Sequence, residues 1–298
     1  MNNTSWYIII NPTSGNGKAL KKWKLVKKEL TQLQINFQSV FTEYHKHAIY
    51  LAKEAVELGY RKIICVGGDG SLHQIVNGVL TSNCTFTDKK KIKIGQLPIG
   101  TGNDWAKQYN IPGNYKKAIQ ILKKENTIFQ DIGKITTSTG ITYFNNSAGI
   151  GFDGFVAKKV KQYKKFGAAS YFLAAIIAIF KFKRMDLTIR FNNTIIQNKS
   201  LVLIIGLCAY SGGGMRLTLN SQPTDKQFDI SYISKITPLQ LLLNIFNLYN
   251  GRLAKQNFIK TYKSDFIRVE CDSSTQFIIQ ADGEILGSGN FTVVMQSD

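Results

Sequence analysis

The chain has 298 residues, 44% of them hydrophobic, enough for two ordinary domains with a real core, which excludes a disordered chain. Its 38 Lys+Arg against 19 Asp+Glu give a formal net charge of +19, so anionic partners are expected: phosphate-rich ligands, nucleic acid or an anionic membrane surface. No zinc-finger, homeodomain or aromatic RNA-binding signature accompanies the charge, which sets nucleic acid aside.

Residues 6–10 read as a short apolar strand and 11–17 as a turn. Leu20, Trp23, Val26 and Leu30 recur at helical spacing and predict a helix over 18–33. A strand at 37–41, a helix at 48–58 stopped by Gly59, a strand at 63–66, a helix at 71–80 and a strand at 92–97 follow. This alternation predicts an α/β domain with a mainly parallel sheet over 1–126. Beyond it, strand-like runs dominate, at 128–135, 141–146, 187–191, 200–208, 228–233, 266–270, 276–281 and 291–295. Helical stretches interrupt them at 155–182 and 239–249. They predict a second, β-rich domain over 127–287, two antiparallel sheets packed as a sandwich.

The apolar stretch at 166–182 is shorter than the ~20 residues that cross a bilayer and is bracketed by lysines, so a buried helix is expected, with a helix at the membrane surface second. Cys65, Cys84, Cys208 and Cys271 form no C-x-x-C pair and suit neither zinc nor a disulfide framework. A chain opening Met-Asn-Asn-Thr-Ser and running straight into a strand shows no signal-peptide pattern, so a reducing cytoplasm is expected. The lysine clusters at 21–28, 89–91 and 158–165 each read first as solvated faces.

Three glycine-bearing turns follow predicted strands: Asn11-Pro12-Thr13-Ser14-Gly15, Gly67-Gly68-Asp69-Gly70-Ser71 and Gly100-Thr101-Gly102-Asn103-Asp104. Strand, glycine turn, helix start is the geometry that offers backbone N–H groups to phosphate. None is a Walker A loop. Asp69 and Asp104 add carboxylates where Mg²⁺ accompanies phosphates; plain turn and capping roles are the competing reading. Asp282-Gly283-Glu284 ends a late strand with two carboxylates, and an ordinary Asp-Gly hairpin explains it equally well. His45, His47 and His73 form no metal or triad constellation, and His73 reads as packed or solvent-facing.

Taken in order, these motifs resemble the diacylglycerol kinase catalytic-domain family, bacterial lipid kinases similar to sphingosine kinases. Thr42 with His47-Ala48, Asn77-Gly78, Gly149-x-Gly151-Phe152-Asp153 and Gly213-Gly214-Met215 extend the match over nearly the whole chain. The resemblance implies a phosphofructokinase-like nucleotide domain and a β-sandwich lipid domain, with the last strand, within 288–298, returning to the first domain. ATP is implied against Asn11, Pro12, Thr13, Ser14, Gly15, Thr42, Gly67, Gly68, Asp69, Gly70, Ser71, Leu72, His73 and Thr101, with Asn103 and Asp104 beside it. It implies Asp282 as general base next to Glu284, and catalytic Mg²⁺ through Asp69 and Asp104. It also implies a structural Mg²⁺ on Asp225 with the carbonyls of Gln222 and Gln227. Gln74 stands where Glu is usual, Ser71 for Thr, Leu219 for Pro, and Lys46 and Lys226 for Gly. The implied function is ATP-dependent phosphorylation of a lipid hydroxyl, diacylglycerol or a related lipid. The protein would be peripheral to the inner face of the membrane, held by anionic lipid; homodimer formation stays open. An NAD kinase-like enzyme and a non-catalytic nucleotide-binding membrane-surface protein are the alternatives.

Overall fold

The computed structural model describes residues 4–151, 184–218, 221–234, 236–244, 247–252, 256–271 and 277–296. They form two compact units, one running to Phe129 and the other from Gln130. The apolar stretch at 166–182, the lysines at 158–165, Phe152, Asp153 and Leu219 lie outside the described residues.

The first unit runs β1 (Trp6–Ile10), α1 (Lys18–Gln32), β2 (Phe37–Phe41), α2 (His47–Glu57), β3 (Lys62–Gly67), α3 (Asp69–Leu80), α4 (Phe86–Lys89), β4 (Lys93–Pro98), α5 (Asp104–Gln108) and α6 (Tyr115–Lys124). Its sheet is wholly parallel, in the order β2-β1-β3-β4. Both faces are covered. Trp6, Ile8 and Ile10 pack with Trp23, Val26 and Leu30 of α1 and with Ala118 and Ile119 of α6. Tyr7 and Ile9 pack on the other side against α2 and α3. A strand buried on both faces needs apolar residues at both parities, which is why β1 reads Trp-Tyr-Ile-Ile-Ile without alternation. Each buried Val, Leu or Ile among these contributes roughly 1.5–3 kcal/mol. The chain leaves β1 toward β2 and then returns past β1 to lay down β3, so the order reverses between β1 and β3. The loops after those two strands open at this switch point, the place where open α/β sheets take ligands.

Lys46, exposed at the start of α2, is left-handed, with φ 66°. The conformation costs a side-chain-bearing residue roughly 1 kcal/mol and glycine nothing. Lys46→Gly is therefore expected to raise stability by about 0.5–1 kcal/mol, read as a higher urea midpoint at unchanged slope. A lower midpoint would mean that the lysine side chain contributes more than its backbone strain costs.

The second unit runs β5 (Gly133–Thr137), β6 (Gly140–Phe144), β7 (Ser147–Gly151), β8 (Met185–Phe191), β9 (Thr194–Ser200), β10 (Val202–Gly206), β11 (Tyr210–Ser211), β12 (Met215–Arg216) and β13 (Phe228–Ile233). Two short helices, α7 (Pro238–Leu243) and α8 (Asn247–Asn250), stand where one helix over 239–249 was expected. β14 (Ile259–Ser264), β15 (Phe266–Cys271), β16 (Ile279–Ala281), β17 (Glu284–Gly287) and β18 (Phe291–Met295) complete it. Twelve of these strands make two six-stranded antiparallel sheets, β14-β13-β10-β7-β16-β17 and β6-β5-β18-β15-β8-β9, and β11 pairs with β12 as a separate two-stranded ribbon. Rings join the sheets: Phe144 stacks on Phe228 at 5.7 Å, and Phe191 meets Tyr262 at 5.0 Å.

The last strand departs from expectation. β18 pairs with β5 and β15 inside this second unit and does not return to the parallel sheet. Its burial explains why: Phe291 and Val293 are buried while Thr292 and Val294 are not. A strand with one apolar face suits a sandwich sheet, whereas the parallel sheet needs both faces apolar.

Candidate active site

Each glycine turn of the first unit is held by its neighbours. After β1, Asn11 Oδ1 accepts from the Thr13 N–H at 3.1 Å and from Thr13 Oγ1 at 2.8 Å, closing an Asx turn. The same side chain donates through Nδ2 to Ser71 Oγ at 3.0 Å, so the loop after β1 is tied to the first turn of α3. The Ser-for-Thr change keeps the hydroxyl this bond needs. Thr42 is fixed at the end of β2 by its N–H to the Ile10 carbonyl, 2.8 Å away.

Gly68 and Gly100 explain the glycine pattern. A Cβ on Gly100 would lie 2.6 Å from the Gly68 Cα and 2.7 Å from Asn103 Oδ1; one on Gly68 would lie 3.1 Å from the Gly100 Cα. The two turns touch backbone to backbone, and neither can carry a side chain without parting. Asn103, left-handed at φ 50°, locks the second turn by accepting from the Gly100 N–H and donating to the Gly100 carbonyl, both at 2.9 Å. The Trp105 N–H donates to Asp69 Oδ1 at 3.2 Å, which brings the residue after Asp104 against Asp69. Asp104 is buried and pairs with Lys107 at 3.3 Å.

α3 begins at Asp69 rather than at Ser71, so Asp69 and Gly70 lie in its first turn, where the helix dipole favours anions. Asp69 and Gly70 are partly exposed there, and Thr13 and Thr101 are exposed. Leu72 and His73 turn the other way: both are buried, and Asn77 Nδ2 approaches His73 Nε2 at 3.3 Å and donates to the His73 carbonyl at 2.8 Å. His73 is a packed histidine, so any contact of these two residues with a nucleotide runs through backbone. The sheet end thus gathers Asn11, Ser14, Gly67, Gly68, Asp69, Ser71, Gly100 and Asn103.

In the second unit, β16 and β17 form a hairpin whose turn is Asp282-Gly283, left-handed at both positions with φ 49° and 82°. Asp282 is more than a turn residue. Its Oδ1 accepts from the N–H groups of Asn146 and Ser147, both at 3.0 Å, and its Oδ2 from the Asn145 N–H at 3.1 Å. The carboxylate is fixed by three backbone donors. Glu284 follows on β17, partly buried. Burial pushes the Cys208 thiol up, and the Asp282 charge nearby adds to it; Cys65 is raised the same way by burial and then by Asp69. Both thiols are inert in this state. The Asn145-Asn146-Ser147 turn went unmarked in the sequence; a polar run closing a strand was the only signal.

The residues assigned to a structural metal do not fit one. Asp225 Oδ1 accepts from the Gln227 N–H at 3.1 Å, and Oδ2 takes the Lys263 ammonium at 2.5 Å. The Gln222 carbonyl accepts from the Asp225 N–H at 3.2 Å. A hard divalent ion needs several uncommitted oxygens. Among the described residues, no group of three or more His, Cys, Asp or Glu side chains is arranged to hold a metal.

The lysines at 21–28 sit mostly exposed on α1, and Lys89 and Lys91 are tied locally to the Leu80 carbonyl and to Asp88; both clusters are solvated faces. Among the described residues, no helix is long and apolar enough to cross a membrane.

The chain is thus a parallel α/β unit whose glycine turns close on one another, followed by an antiparallel β-sheet unit that holds a fixed carboxylate. Known proteins share the two domains. The diacylglycerol kinase catalytic domain matches residues 5–135, and the YegS C-terminal NAD kinase beta sandwich-like domain matches residues 146–296. The chain belongs to the diacylglycerol kinase catalytic-domain family, phosphotransferases that act on an alcohol group. It is 26% identical to a diacylglycerol kinase of Staphylococcus haemolyticus, covering 94% of this chain and 82% of that protein. It is 27% identical to a diacylglycerol kinase of Staphylococcus aureus (strain Newman), over 94% of this chain and 86% of that one. A crystal structure of a Bacillus anthracis diacylglycerol kinase, 18% identical, superposes with a TM-score of 0.70 over 97% of this chain and 93% of that chain, a likeness of fold.

Proposed function

We propose that this protein is an ATP-dependent lipid kinase that moves the γ-phosphoryl group of ATP to a lipid hydroxyl, of diacylglycerol or a closely related lipid. The observation that carries the reading is the backbone-to-backbone seating of Gly68 on Gly100 beside the first turn of α3, at the β1/β3 switch point. A turn pair without side chains lets a polyphosphate approach the main chain at a helix start. The loop at Asn11–Gly15, Thr42, the turn at Gly67–Ser71, and Thr101 with Asn103 would cradle the nucleotide. Asp69, partly exposed in the first turn of α3, is the hard oxygen donor that would suit Mg²⁺, while Asp104 is buried and already paired with Lys107. When bound, Mg²⁺ would neutralise charge on the transferring phosphoryl oxygens. Asp282 would accept the proton of the attacking hydroxyl, with Glu284 beside it on the hairpin. The proposed base stands already oriented by its three N–H donors.

NAD remains the competing acceptor, because the model matching the second unit is described as NAD kinase beta sandwich-like. Incubation with γ-labelled ATP and either total lipid extract or NAD separates the readings. Label is expected in the organic phase. Label in NADP would replace the lipid reading by the soluble one, and label in neither would favour a nucleotide-binding protein without turnover.

The +19 charge supports peripheral docking on anionic lipid at the inner membrane face. The lysines at 158–165 precede the apolar stretch at 166–182, a basic rim beside an apolar segment. Reversing Lys161, Lys164 and Lys165 to Glu is expected to weaken binding to anionic vesicles at low salt by about 1–2 kcal/mol per position, since each reversal removes one attraction and adds a repulsion. The deficit should shrink as ionic strength rises, because screening weakens the parent too. Equal binding by parent and variant at low salt would make this cluster another solvated face.

A further inference from the structure

The loop at 221–227, where the resemblance puts a divalent ion, contains a cation of the chain's own. We propose that the ammonium of Lys263 is the resident cation of this loop, standing where a divalent metal would stand, so that the second unit is held together without metal. Register delivers the lysine. Lys263 on β14 is the cross-strand partner of Asp229 on β13. Its Nζ lies 3.8 Å from Asp229 Oδ2 and reaches on to Asp225 Oδ2 at 2.5 Å.

The charges around it explain why a cation is needed. Asp229 is buried, and burial followed by the Asp225 charge pushes its carboxyl up while Lys263 pulls it down. A third carboxylate, Asp131, accepts from the Lys226 N–H at 2.6 Å and donates its own N–H to the Pro223 carbonyl at 2.8 Å. Lys226 holds a left-handed φ of 59° to make that bond. Without the ammonium, Asp225 and Asp229 would face each other with carbonyl oxygens close by, an oxygen-rich set of the kind a hard divalent ion takes. Lys263 therefore replaces the metal and excludes it. A covalently attached cation has no binding equilibrium and cannot be chelated.

Thermal unfolding of the full chain without nucleotide tests this, in EDTA and in millimolar Mg²⁺, Mn²⁺ or Ca²⁺, for the parent, K263M and the double variant D225N/K263M. The parent's midpoint is expected to be the same in EDTA and in metal. K263M should melt roughly 3–6 °C lower in EDTA, and metal should restore much of the loss; the double variant should not respond to metal. Mn²⁺ binding followed by electron paramagnetic resonance gives a second readout that survives poor folding of K263M. The parent and K263R should show no bound Mn²⁺ that D225N removes. A parent site for Mn²⁺ that D225N abolishes would overturn the proposal. So would a K263M midpoint equal to the parent's in EDTA, which would make Lys263 an ordinary edge-strand lysine.

Discussion

Asp69→Ala is expected to lower turnover by about 10³-fold, the consequence of withdrawing several kcal/mol of metal-mediated charge stabilisation. Asp69 does two things that the substitution removes together. It places a carboxylate in the first turn of α3, and it accepts the Trp105 N–H that fastens the second glycine turn to the first. Asp69→Asn separates them. The amide oxygen can still accept from Trp105, so the loops should stay seated, while the charge is gone. If the carboxylate acts through Mg²⁺, both variants should lose turnover and Mg²⁺-dependent ATP affinity, and Asp69→Asn should keep the parent's melting midpoint. If it serves only to fasten the turn, Asp69→Asn should work nearly as well as the parent. The Gly68–Gly100 contact does not depend on the side chain, so neither variant should unfold the unit.

In the first unit β1 to β4 and α1 to α3 were legible nearly residue by residue, because they bury strong, regular apolar patterns, whereas α4 and α6 were not predicted. The strands at 6–10 and 37–41 fall where they were predicted, and α1 and α2 shift by one residue. The second unit was less legible. β7 reads Ser-Ala-Gly-Ile-Gly, small residues with no alternation, yet it is wholly buried between β10 and β16. β9 reads Thr-Ile-Ile-Gln-Asn-Lys-Ser and is an edge strand, whose exposure removes the apolar signal. The glycine turns stood out in the sequence because the backbone contact of Gly68 with Gly100 allows only one residue type. The partners of Asp282 were invisible because they are main-chain N–H groups, which every residue but proline carries. Lys263 was hidden for a different reason: one lysine among many shows its role only through register with Asp229.

Asp282→Asn is expected to cost about 10²–10⁴-fold in turnover through loss of the proposed base, with ATP affinity little changed because the proposed nucleotide contacts lie on other loops. The three N–H donors add a structural consequence. A carboxylate can accept from Asn145, Asn146 and Ser147 at once, whereas a carboxamide must turn its NH₂ toward at least one of those donors. Leaving one such N–H without a partner costs about 1–3 kcal/mol, so the variant should also melt earlier. The hairpin itself should persist, since asparagine accepts the left-handed conformation that Asp282 holds. A fixing role and a chemical role therefore predict different pairs of measurements. If Asp282 only fixes the 145–147 turn, the folded fraction of Asp282→Asn should retain most of its turnover well below its melting midpoint. If it is the base, turnover should stay low at every temperature, and Asp282→Ala should be no worse in rate while being less stable. Parental turnover in Asp282→Asn with a large loss in Glu284→Gln would move the proton acceptor two residues along the hairpin.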